Sequence, residues 1–556
     1  MTDAAEHLNR LVTLLGKCES ISPIHFDGLL ATIRGIDPDN IKEKGKKSIL
    51  QDLRSFISRH RGHSSQPWAL PDEQLRLIEE VMAALEPTDP IFLHVWLFKL
   101  WVELPDGGED DYHQKEAKVR ALRIAALQGI SSGGLIDVLR LAAEAEHPHL
   151  VGLTLGQVDT WDRAHDEAVV QLIRDPEEST QLMVGGFIRE RFAQGGSGWL
   201  LHICTQLRSL LSDEALAFIA LNSDTRPDAW DVVESFGADV SASYWSKLSG
   251  IYVRNDHAVE GARRFIEHGR AITAVTVLGD AAARDGSAID PHEALRFLQT
   301  ACGKTVASDS VTDHFPWSLG QLLDYVFRQL PHEIEAIATV EWALSPSLSA
   351  MGADREPRAL YKHLEESPRF FLELISCIKE KSTSDDDHEK VQFRSHRAYE
   401  LVTGWKGIPG ALPGAAIDED KFNSWMTEAR TLLLGADVLS DGDNFLGRML
   451  SNSPSDGNGC WPCTTVRKFI EHAQSLDLGR GLYFGRINGR GMVSRDLYSG
   501  GDEDRALAGT ATQWADHMED EHPITAGILR QLSQSYLSRA ESQDREAQSR
   551  LDYFGG

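Results

Sequence analysis

Cysteine is scarce in this chain of 556 residues. There are six, Cys18, Cys204, Cys302, Cys377, Cys460 and Cys463, and the first four stand alone, which excludes a disulfide-stapled scaffold. Long apolar runs are also missing. The strongest, Ile91 to Trp101, carries His94 and Lys99 and falls short of the roughly 20 residues a spanning helix needs. No membrane association is therefore expected. The N-terminus, MTDAAEHLNRLVTLLGKCES, begins acidic and lacks a basic segment, an apolar core and a small-residue cleavage site, so a cytoplasmic protein is expected. Positive charge is in deficit, with 56 basic against 84 acidic side chains and a net charge of -28. Such a surface favours solubility and repels nucleic acid and anionic membranes in bulk, but it leaves room for a local basic site.

Catalytic signatures are absent as well. None of the 21 histidines stands in an HExxH pattern, and there is no GxSxG elbow. The string ACGKT, Ala301–Thr305, lacks the glycine a phosphate loop needs five residues before Gly303, where Leu298 stands instead. The preceding EALRFLQTA has helical spacing, so Gly303 is expected to end a helix. Cys460 and Cys463 have the spacing of a redox dithiol or half a zinc site. There is no second CxxC, however, and His472 alone cannot complete a tetrahedral set. Trp461-Pro462 reads better as the start of a helix over TVRKFIEHA. His147 and His149 read as a loop between helices, and the glycine pairs at 185–186 and 195–196 follow no strand that would make a dinucleotide fingerprint. Carboxylates are too numerous to single out an acid/base pair. No catalytic residue, metal or cofactor is assigned.

What is present is helical periodicity. Leu75, Leu77, Ile78, Val81, Met82 and Leu85 form one stripe. Val391, Phe393, Tyr399 and Val402 form another, and Ile528, Leu529, Leu532, Tyr536 and Leu537 a third. Turn-forming clusters punctuate the pattern at Glu86–Pro90, Leu104–Asp111, Ile130–Gly134, Phe192–Gly198 and Leu221–Asp228. Alternating strand patterns are scarce. The predicted fold is all-α: a degenerate, HEAT-like array of helical hairpins with a C-terminal helical module. No fixed repeat period emerges. The expected divisions are an N-terminal helical segment over 1–66, the array over 67–390 and the C-terminal module over 391–556.

Two segments run against the global charge. One, Arg34 to His63, holds Lys42, Lys44, Lys46, Lys47, Arg54, Arg59 and Arg61 and reads as a solvated helix face. The other holds Arg467, Lys468, Arg480, Arg486, Arg490 and Arg495, interleaved with glycines and with Tyr483 and Phe484. Arg480, Arg486, Arg490 and Arg495 are the candidate anion or nucleic-acid contacts. The competing reading pairs these arginines with the surplus carboxylates of the scaffold.

Several pieces carry a family look: Asp89–Pro105, Ala336–Leu348, Ala359–Ile375, Asp456–Glu471, Arg486–Ala508 and Trp514–Tyr536. Together they resemble the helical C-terminal half of large bacterial multidomain proteins, in which it follows an NTPase or effector domain in settings of antiviral defence. No NTPase or nuclease region precedes Asp89, so the resemblance implies an active partner that is a separate polypeptide or is absent. It also implies that Cys460 and Cys463 are incidental to a Trp-Pro helix start. The expectation is a non-enzymatic scaffold, an interaction or sensor subunit with a protein partner. The alternatives are nucleic-acid or nucleotide binding through the four arginines, and an enzyme whose site is assembled from distant residues.

Overall fold

A computed structural model describes residues 23–35, 37–105, 112–158, 165–304, 314–349, 355–380, 385–412, 416–489 and 500–554. Among them are 26 α-helices and one minimal hairpin, Ala411–Leu412 paired antiparallel with Ala416–Ile417. The all-α expectation holds. No helix among the described residues is long and apolar enough to cross a membrane.

The helices start and stop where local chemistry directs. Ser212, Asp290, Ser367, Asp418 and Ser475 each accept a first-turn amide at a helix N-terminus. Gly134, with φ of 93°, separates Tyr112–Ser131 from Leu135–Glu144. The helix Pro291–Ala301 ends just ahead of Gly303, with φ of 77°, as the sequence predicts. The expected break at Phe192–Gly198 is a kink instead: Glu178–Leu207 runs through it, interrupted only by Gly196 at φ 60°. One left-handed residue redirects the chain without opening a loop.

The Leu75 stripe joins Phe26, Ile49, Leu53, Phe56 and Ile57 in one core, with Leu77 packed at its edge. The other two stripes are less regular than predicted. Val391 and Val402 are buried, but Phe393 and Tyr399 face outward, and Ala398 and Leu401 fill the core in their place. Phe393 lies beneath the Arg397 guanidinium, and the Tyr399 hydroxyl accepts from Arg448. In the final helix Leu529, Leu532 and Tyr536 are buried, while Leu537 is exposed.

The described residues form two compact units, divided between Ala281 and Ala282. Each contains a run of five α-helices. In the first it is Tyr112–Ser131, Leu135–Glu144, Pro148–Leu155, Asp166–Val170 and Glu178–Leu207. In the second it is Asp385–Gly404, Glu419–Gly435, Leu439–Leu450, Thr464–Ala473 and Leu476–Asn488. The third helix of each run packs on the first, second and fifth of its own run.

Glycines set the closest of these contacts. Pro148–Leu155 meets Glu178–Leu207 at Gly152 and Gly186: an added Cβ would lie 1.8 Å from the Met183 carbonyl oxygen and 2.0 Å from that of His149, respectively. Leu439–Leu450 meets Leu476–Asn488 at Gly447 and Gly481, where the same distances are 2.1 Å to Leu478 and 2.0 Å to Asn444. No side chain larger than hydrogen fits without driving the backbones apart. Gly152 and Gly186 are 34 residues apart, as are Gly447 and Gly481. The flanking pairs Val151/Leu446, Leu155/Leu450, Met183/Leu478 and Phe187/Leu482 keep the same offset of 295, and all eight side chains are 0% exposed.

Candidate functional site

The loop before Thr464–Ala473 is built around Trp461 and Asp456. The buried indole of Trp461 donates to the Ser453 carbonyl at 2.9 Å. The Asp456 carboxylate accepts from the Thr464 amide at 2.9 Å and hydroxyl at 3.0 Å, and from the Arg467 guanidinium. Asp456 therefore caps the helix from outside and neutralises a buried arginine within its first turn. Pro462, after a cis bond, leads into the N-cap residue Cys463, so the expected helix start is in place. Cys460 and Cys463 are free and buried, and Cys463 engages the Ser453 hydroxyl through its amide at 3.1 Å. Among the described residues no three His, Cys, Asp or Glu side chains gather as a metal site. Glu471 at the other end of this helix accepts from the amides of Ile524 and Thr525, capping the last helix, Pro523–Phe554.

The predicted arginines separate. Arg480 is exposed and pairs with Asp477 at 3.1 Å within its own helix. Arg486 is six residues on, about 240° around the helix, and so on another face. Its guanidinium packs 4.5 Å from the Trp461 ring and 6.0 Å from Trp514, two indoles whose centroids are 5.9 Å apart. Burial pulls Arg486 below the usual arginine range, with Tyr536 opposing. No carboxylate pairs with it among the described residues. Arg490 and Arg495 lie outside the described residues. The two preceding cations are paired, Arg467 with Asp456 and Lys468 with Glu419 at 3.2 Å.

The N-terminal basic segment is less solvated than its composition suggests. Lys44 and Lys47 reach Glu144, and Arg61 forks onto Glu79 and Asp72. Arg54 lies 4.3 Å from the Trp96 ring, and burial pushes its guanidinium down to about 10. The indole as counter-group is thus a recurrent device here.

At the position in the first unit that matches Arg486, Arg191 has a full set of acceptors. Its Nε donates to Asp166 at 3.0 Å, and its Nη1 donates to the Gly156 carbonyl at 3.0 Å and to Gln194 at 3.2 Å. The other Asp166 oxygen accepts the Trp199 indole N–H at 2.7 Å.

The sequence reading missed a cleft of about 240 Å³ in the second unit, lined by Glu341, Trp342, Arg355, Tyr361, Arg397 and Glu400. Glu341 is fully buried and accepts from Arg355 at 2.6 Å and from the Leu360 amide at 2.9 Å. Burial lifts its carboxyl above the usual range, against the pull of Arg355. Arg355 also donates to Asp324 at 2.8 Å. Arg397 instead lies 4.4 Å from the Trp342 ring, donates to the Trp342 carbonyl, and is pulled down by burial. The acid and its arginine pair with each other, while the buried Nε of Arg355 has no hydrogen-bond partner among the described residues. A larger cleft in the first unit, about 710 Å³, is lined by Arg189, Phe192, Phe218, Arg226, Lys247 and Tyr252, with Arg226 held by Asp224 at 3.0 Å. These residues come from helices far apart in sequence, and no local motif marks them.

No family model, curated protein or solved structure matches this chain.

Proposed function

We propose that the protein acts by binding, as a non-enzymatic helical scaffold that serves as an interaction or sensor subunit of a bacterial multi-protein system. The observation that carries this reading is a fixed apolar projection in the first unit. Trp101 is 78% exposed and Leu100 59%, while Phe98 beside them is fully buried. The turn that presents them is held by Arg123, which donates to the carbonyls of Leu97 and Lys99, both at 2.7 Å. A large indole held outward on a tethered turn is the kind of anchor that dominates protein interfaces. Its partner is a protein, in this reading a separate NTPase or nuclease, and the setting is a cytoplasmic antiviral defence system.

The test is affinity capture of the full chain from its native host with quantitative mass spectrometry, alongside Trp101→Ala. The reading expects a partner depleted about tenfold or more by the substitution. It fails if the captured set is unchanged, or if the purified protein alone shows a hydrolase or nuclease activity that one side-chain change abolishes.

A further inference from the structure

The match between the two units extends beyond their glycines. Arg191 lies five residues after Gly186, and Arg486 five after Gly481. Asp166 lies 25 residues before Arg191, and Trp461 lies 25 before Arg486. The two arginines differ in what they meet. The Asp166 position is held by Trp461 and the Gln194 position by Gly489, neither of which offers a side-chain acceptor. The side-chain acceptors of Arg191 have no counterparts beside Arg486, which among the described residues lies over two ring faces and makes no hydrogen bond.

We propose that the two units carry copies of one helical motif, and that in the second copy the guanidinium edge of Arg486 binds a carboxylate presented by a partner's acidic peptide segment. A half-buried cation with no counter-charge among the described residues bears a desolvation cost that an incoming anion relieves. The planar edge of an arginine matches the two oxygens of a carboxylate, and two indoles lie against the guanidinium, at 4.5 and 6.0 Å. The net negative charge of the chain disfavours a dense polyanion such as nucleic acid more than a short peptide. This site is separate from the Trp101 projection, and either reading can fail without the other.

The experiment is calorimetric titration of the full chain with capped pentaglutamate, capped pentaglutamine, inorganic phosphate and an oligothymidylate. Pentaglutamate is expected to bind about tenfold or more tightly than pentaglutamine. Arg486→Gln should weaken it about tenfold or more, and Arg480→Gln should leave it within about twofold. Arg486→Lys keeps the charge but loses the fork, so it should fall between wild type and Gln. It decides the matter if the Gln variant does not fold. The inference is overturned if the two peptides bind alike, if both Arg486 variants bind pentaglutamate like wild type, or if the Arg486-dependent ligand is phosphate or the oligonucleotide.

Discussion

The first unit buries Arg191 against a carboxylate, and the second buries Arg486 against two indoles, at matching positions beside matching glycine crossings. The crossing fixes where the arginine emerges, because backbones in van der Waals contact leave little freedom of rotation or shift. It does not fix the counter-group. A carboxylate and an amide accept from Arg191, whose guanidinium also lies 5.2 Å from the Phe187 ring, whereas Arg486 lies against two indoles and makes no hydrogen bond among the described residues. The cleft in the second unit repeats the contrast at closer range: Arg355 is forked by Glu341 and Asp324, and Arg397 lies against Trp342.

The comparison breaks most visibly at Asp166. Asp166→Ala leaves a nearly buried Arg191 and the Trp199 N–H without their acceptor, and should cost about 4 kcal/mol of stability in urea denaturation. A cost below about 1 kcal/mol would mean that the carboxylate is no more than an exposed pair. Next come the glycines. Gly152→Ala and Gly447→Ala should each destabilise by about 3 kcal/mol through overpacking, and unequal costs would argue against equivalent crossings.

A smaller effect appears in the pH profile. Glu341 is raised in the folded state, so the native protein keeps a proton that the unfolded chain has lost above its ordinary value of 4.5. The contribution of Glu341 to stability therefore falls as pH rises from about 4.5 through the folded value. The stability of wild type minus that of Glu341→Gln should decline across that window, and a rising difference would reverse the assigned direction. The smallest effect is expected at Arg486→Met, about 1 kcal/mol, since a cation on an indole contributes little beyond packing. A loss near that of Asp166→Ala would show that the two burial modes are equally strong.

Much of the helical frame was legible in local residues. Gly134 and Gly303 mark helix ends, Ser212 and Asp290 mark starts, and Trp461-Pro462 introduces Thr464–Ala473. The correspondence between the two runs was not legible, because they share one glycine spacing and a burial register while most other side chains differ. Phe393, Tyr399 and Leu537 fit an apolar stripe by spacing, yet lie outside the core that their neighbours fill.

The sequence by itself determined the all-helical class, because helical spacing and capping act over a turn or two of chain. Only the tertiary structure decided what each arginine meets. A counter-group is chosen by proximity in space, so Asp166 and Trp461, each 25 residues away from its arginine, could not be told apart as partners until the helices were packed.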